Sequence, residues 1–202
     1  MKIIAKEIKS GLSEEKYTRA LESIKNADFD RYDRICKNKS EANRMRLLTA
    51  GMLIMEMCDR LGIDKPVIAR DDHGKPYLKG HENVCFNLSH SGDYIALAYG
   101  DAPIGIDVQE VRNVSDSFIK RILNDSETEL YDSTDMVTVC RIWTIKEAYS
   151  KLIGLGLSYD FRNCVIDTDN ATIHDFTGIH PDASYRTHKI ASSVYLTYEK
   201  YV

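Results

Sequence analysis

The sequence predicts an α+β protein in two halves, each with strands set around one long helix. Two observations predict it. Apolar residues recur at helical spacing near the middle of each half, over 40–62 and 137–154, and short β-branched or alternating runs flank both helices. The best candidate break lies at Gly100–Pro103, which divides the chain into 1–102 and 103–202. With 202 residues, 43% of them hydrophobic, the chain can bury one sizeable core or two small ones.

MKIIAKEI reads as a first strand, and residues 13–26 as a helix with Ser13 at its N-cap. A basic stretch follows, with Arg31, Arg34, Lys37, Lys39, Arg44 and Arg46 close together. Ser40 opens the clearest helix of the first half and Gly62 closes it. Its stripe of Met45, Leu48, Met52, Met55 and Met57 is read as core packing. HGKPYL, 73–78, is a turn into a short extended segment, because Pro76 disfavours helix at Lys75. VCFNLSHSGDYIALAYG, 84–100, reads as strand, polar turn, strand. IGIDVQEV, 104–111, is a strand with a carboxylate in it, ETELYD at 127–132 is helical, and residues 159–202 favour two to four strands.

The net charge of −4 offers no broad basic field, which argues against nucleic acid as a partner. Five widely spaced cysteines without a C-x-x-C read as reduced thiols of a cytoplasmic protein. The start, MKIIAKEIKSG, breaks its apolar run with Lys6 and Glu7 and is not read as a signal peptide. The longest apolar stretch, LLTAGMLIMEMC at 47–58, is too short to span a membrane.

Asp107 poses the chemical question, since a buried carboxylate without a partner is costly. On a strand, Asp107 and Gln109 leave the same face. On the second long helix, Trp143, Glu147 and Lys151 form one row. If that row faces the strand, Glu147 completes an all-oxygen set suited to a hard divalent cation, with Lys151 beside the bound phosphates. The plainer alternative is a surface ion pair between Glu147 and Lys151 and a turn-capping Asp107. Ser89, His90 and Ser91 do not make a hydrolase triad, because strand neighbours face opposite ways and no strand–serine–helix elbow is present. Such a turn either presents donors to a phosphate or is simply a hydrogen-bonded hairpin. No zinc spacing or dinucleotide fingerprint occurs.

The order HGKPYL, FNLSHSGDYIALA, IGIDVQEV, WTIKEAYSKLIGLGL resembles the 4′-phosphopantetheinyl transferases of the long, surfactin-type group, from about Asn43 to Leu157. The resemblance implies two similar α+β halves with a pseudo-two-fold arrangement in one monomeric chain, and a coenzyme A site in the cleft between them. It implies transfer of the phosphopantetheine arm of coenzyme A to a serine of an apo acyl or peptidyl carrier protein, with Mg²⁺ (Mn²⁺ as a substitute) and release of adenosine 3′,5′-bisphosphate. Asp107, Gln109 and Glu147 then match the metal positions, with Glu147 also as general base and Lys151 as a phosphate contact. Ser89 and His90 match 3′-phosphate positions, Gly74, Lys75 and Pro76 the adenine and ribose side, and Arg44 the same nucleotide end.

Two departures stand out. The middle metal position, commonly Glu, is Gln109, which implies weak Mg²⁺ binding without coenzyme A. Around 28–34, where the family often has lysines, FDRYDR offers Arg31 and Arg34. A Mg²⁺-dependent coenzyme A hydrolase and a non-catalytic binder are the competing classes. The segment Val111–Leu123 offers Val114, Phe118, Ile119 and Ile122 beside Arg112, Lys120 and Arg121, either as a carrier-binding patch or as an inward-packed helix.

Overall fold

The computed structural model describes residues 1–8, 12–72 and 74–201; Lys9–Gly11 and the His73 of HGKPYL lie outside the described residues. The chain folds as β1 (Lys2–Glu7), α1 (Glu14–Ala27), α2 (Phe29–Lys37), α3 (Glu41–Leu61), β2 (Ile68–Arg70), β3 (Pro76–Leu78), β4 (Cys85–Ser91) and β5 (Tyr94–Gly100). The second series is β6 (Gly105–Glu110), α4 (Asp116–Ile122), α5 (Asp125–Leu130), α6 (Met136–Leu152), β7 (Cys164–Asp167), β8 (Thr172–Asp175), β9 (Ala183–Ala191) and β10 (Val194–Tyr201). Contacts group into two units: Met1–Leu88 with Asp93–Asp101, and Ser89–Gly92 with Ala102–Val202. Each unit has a leading strand, three helices with the third longest, and later strands, the last of which pairs antiparallel with the leading one. The fold is therefore α+β in two like halves.

In the first unit, β1, β5 and β4 form a three-stranded sheet, with Ile4 opposite Leu97, and β2 and β3 form a separate hairpin. Ser13, Asp28 and Ser40 cap α1, α2 and α3 through their side-chain oxygens. Helix α3 is apolar on most sides because it is covered twice. Leu53, Ile54 and Met57 pack with Ile4, Phe86, Ile95 and Leu97 of the sheet, while Met45 and Leu48 pack with Ile24 and Ile35 of α1 and α2. The methionine stripe is core. The basic stretch becomes α2, and it does not present its arginines alike. Arg31 turns inward, and its Nε donates to Asp28 at 3.0 Å. Arg70 reaches the same carboxylate at 2.9 Å, while Arg34 stays exposed.

In the second unit, five antiparallel strands run in the order β6-β10-β9-β8-β7, with α6 lying on the sheet. Residues 159–202 supply four of the strands. Ile142, Trp143, Ile145, Tyr149 and Leu152 of α6 meet Phe161, Cys164, Ile166, Ile173 and Ala183. Ile122 is fully buried there, and Val114, Phe118 and Ile119 pack against the same cluster, so this apolar face points inward. All five cysteines are free, and no helix of the described residues is long and apolar enough to cross a membrane.

One core residue of β10 carries a carboxyl group. Glu199 is fully buried, and neither carboxyl oxygen has a hydrogen-bond partner. Burial pushes its pKa well above the ordinary 4.5. Between those two values the folded chain holds a proton that the unfolded chain releases. The stability tied to this group is therefore complete below 4.5 and is lost as pH rises through the window. Glu199→Gln is expected to flatten the decline of stability between pH 5 and 8, read from urea midpoints. An unchanged slope would assign the decline to other groups.

Candidate active site

The site is assembled on a close approach of main chains. A Cβ at Gly105 would sit 1.9 Å from the Ala148 carbonyl oxygen, so the first residue of β6 must be glycine for α6 to lie where it does. Asp107 and Gln109 follow Gly105 at strand spacing and share its face. Glu147 immediately precedes Ala148, and Lys151 lies one turn further along α6.

Lys151 Nζ donates to Asp107 Oδ1 at 2.6 Å and to Ser89 Oγ at 3.0 Å, and lies 3.8 Å from Glu147 Oε2. The Ser89 hydroxyl donates to Asp107 Oδ1 at 2.6 Å and accepts from the Val108 N–H at 3.2 Å. Its one donor and both acceptor sites are thereby engaged. Two residues on, the Ser91 hydroxyl donates to Gln109 Oε1 at 2.8 Å and accepts from the Glu110 N–H at 3.0 Å. The end of β4 is thus joined to β6 by two serines, each holding one polar side chain.

Burial dominates the electrostatics. It pushes Glu147 up to about 7; Lys151 opposes the shift, Asp107 adds to it, and Arg121 opposes it more weakly. Asp107 is also raised by burial, against the pull of Lys151 and Ser89. Its Oδ2 is buried without a hydrogen-bond partner. A buried carboxylate oxygen facing no donor suits a cation, and the candidate set is two carboxylates and an amide oxygen, as a hard divalent ion requires. Among the described residues no three His, Cys, Asp or Glu side chains form a metal-holding group by themselves. With Gln109 in the middle position, such an ion would complete its shell with water or substrate oxygens.

The structure thus brings Ser89, Asp107, Glu147 and Lys151 into contact, with Gln109 beside them. His90 is exposed while Ser89 is buried, as opposite faces of a strand require. Arg44, Gly74, Lys75 and Pro76 belong to the first unit. Arg44 donates to the carbonyls of Asn38 and Lys39 at 3.0 and 3.3 Å. Gly74, with a φ of 79°, turns the β2–β3 hairpin, and the Lys75 N–H donates to Asp71 at 2.8 Å. Pro76 opens β3 opposite Arg70.

Two features of the site went unread in the sequence. Ser91 carries the same signal as Ser89, since both pairs, 89/91 and 107/109, are spaced by two. Lys146, next to Glu147, is fully buried. Its ammonium donates to Glu127 at 2.5 Å and to the carbonyls of Ile122, Phe161 and Cys164 at 2.8, 2.8 and 3.0 Å. The signal for Lys146 was its spacing, four residues after Ile142 and three before Tyr149, which sets a lysine on the apolar side of the helix.

Both halves of the chain are similar to known proteins. Residues 103–201 match the model of the 4′-phosphopantetheinyl transferase superfamily, and residues 12–101 match the model of the 4′-phosphopantetheinyl transferase N-terminal region. A 4′-phosphopantetheinyl transferase of Bacillus pumilus is 32% identical over 49% of this chain and 44% of its own length. One from Bacillus subtilis (strain 168) is 30% identical over 60% of this chain and 56% of its own. An L-aminoadipate-semialdehyde dehydrogenase-phosphopantetheinyl transferase of Xenopus laevis is 31% identical over 61% of this chain and 48% of its own. The chain spans about half the length of the curated relatives it matches. With one family model on each half, between them running from residue 12 to residue 201, the chain belongs to the 4′-phosphopantetheinyl transferase superfamily, in its two-half form.

Proposed function

We propose that the protein transfers the 4′-phosphopantetheine arm of coenzyme A to a serine hydroxyl of an apo acyl or peptidyl carrier protein. The observation that carries the reading is the pairing of Glu147, held near 7, with Asp107, whose buried Oδ2 lacks a partner. In this reading Glu147 takes the proton of the carrier serine, directly or through a water, which is the work of a general base with a pKa near the operating pH. The serine oxygen forms a bond to the phosphorus that carries the arm, and the pyrophosphate P–O bond breaks. Adenosine 3′,5′-bisphosphate leaves with the electron pair.

Asp107, Gln109 and Glu147 would hold Mg²⁺ or Mn²⁺, which when bound would offset charge on the pyrophosphate. Lys151 places a second positive charge beside the same phosphates. For the nucleotide end we assign His90, Arg44, Gly74, Lys75 and Pro76. Ser89, whose hydroxyl is fully engaged with Asp107, Val108 and Lys151, acts through Asp107. Of the two arginines near residue 30, the exposed Arg34 suits a phosphate and the buried Arg31, tied to Asp28, does not. Free cysteines fit a cytoplasmic setting.

The test is the intact mass of an apo carrier protein after incubation with this protein, coenzyme A and Mg²⁺. A gain of one phosphopantetheine, abolished by EDTA, is the expected result. Coenzyme A cleaved with the carrier unmodified would replace the reading with a hydrolase. Bound but intact coenzyme A across several carrier classes would replace it with a binding protein.

A further inference from the structure

We propose that Ser91 is a positioning residue that makes the amide of Gln109 serviceable as a cation ligand; this rests on the metal site of the proposed function. A carboxylate at this position presents an oxygen whichever way it turns. An amide does not, because one end is an oxygen and the other an NH₂ that repels a cation. Something must therefore decide which end faces the ion.

The geometry assigns that task to Ser91. Its hydroxyl accepts the Glu110 N–H at 3.0 Å, which fixes the oxygen against the backbone of β6. Its single hydrogen is then given to Gln109 Oε1 at 2.8 Å. An amide oxygen has two lone pairs, so this bond anchors the oxygen and leaves one pair for a cation. With the NH₂ end turned toward Ser91 this bond is lost, the amide can donate only to the hydroxyl's second lone pair, and the Ser91 hydrogen is left without its acceptor.

The neighbouring rung shows the same construction on a residue that does not need it as much. Ser89 accepts the Val108 N–H and donates to Asp107 Oδ1, leaving Oδ2 without a partner. Lys151 grips that same Oδ1 as well, at 2.6 Å. The turn after Ser91 is also built to keep the register. Gly92 has a φ of 52°, the left-handed region that favours glycine, and so closes the turn directly after Ser91 without strain.

The experiment measures Mn²⁺ binding by electron paramagnetic resonance, with and without coenzyme A, for the natural protein, S91A, S91T, Q109E and S91A/Q109E. Outer partners of metal ligands are commonly worth roughly 10- to 100-fold in affinity. S91A should weaken Mn²⁺ by about tenfold, the low end of that range. S91T, which keeps the hydroxyl, should stay near the natural value. Q109E should bind free Mn²⁺ more tightly, and S91A should then cost less than about twofold, because a carboxylate needs no help in choosing an end.

Equal losses from S91A in both backgrounds would mean a general loosening of the strand end and would overturn the proposal. So would an S91A protein that binds as well as the natural one. If no variant binds Mn²⁺, even with coenzyme A, the metal site itself is refuted and this role of Ser91 with it. That outcome is distinct from failure of the Ser91 assignment alone, in which the natural protein and Q109E bind normally.

Discussion

Lys146→Met is expected to lower the stability of the protein by about 3–5 kcal/mol, the usual result of removing one partner from a buried ion pair. Lys146 and Glu127 are both fully buried, and the ammonium also serves three main-chain carbonyls. Glu127 carries further duties. One oxygen accepts the Ile166 N–H at 3.2 Å, and the other closes a capping box with the Asn124 N–H at the start of α5. Methionine fills the lysine's volume, so the loss would come from a buried carboxylate without its cation and from carbonyls deprived of a charged donor rather than from a cavity. Urea denaturation followed by tryptophan fluorescence reads it directly, since Trp143 lies one turn before Glu147 between Phe118 and Phe161. A change below about 1 kcal/mol would show that water or neighbouring groups satisfy the network without the lysine.

Glu147→Gln is expected to reduce transfer to a carrier by about 10²–10⁴-fold in kcat, the usual worth of a general base. The substitution keeps the shape of the side chain and an oxygen that can face a cation, and it removes the basic group. Circular dichroism should keep its natural form and the urea midpoint should not fall, because among the described residues the ion pair of Glu147 is with Lys151 at 3.8 Å and burial already opposes its charge. A variant that keeps a tenth or more of the activity would remove Glu147 from the role of base and shift attention to a water activated elsewhere.

Much of this was legible because local chemistry and global fold agree. Ser13, Ser40 and Gly62 stand where helix ends need them, and all three cap as read. The two long helices announced themselves by period, Asp107 by standing where an apolar pattern should continue, and Glu147 by its row with Trp143 and Lys151. What escaped reading depends on long-range closure. Arg31 and Arg34 look alike in sequence, and only the packing of α2 onto its neighbours turns one inward to Asp28. Val114, Phe118, Ile119 and Ile122 fit either an exposed patch or an inward face until Trp143 and Phe161 arrive from α6 and the loop beyond it. Glu199 breaks no local rule on a strand whose neighbours, Tyr198 and Lys200, are polar-tipped; its burial is set by the helix above the sheet.

The contact between Gly105 and the carbonyl of Ala148 has a consequence for tolerance. Asp107 lies two residues along the strand from that contact and Glu147 one residue along the helix. The spacing of the two carboxylates is therefore gauged by main chain against main chain, with no side chain acting as a shim. Core substitutions that let a helix ride up or settle on its sheet in most proteins have little purchase on this gap. Drift among relatives in the residues around it would leave the caliper set, so long as the glycine stays.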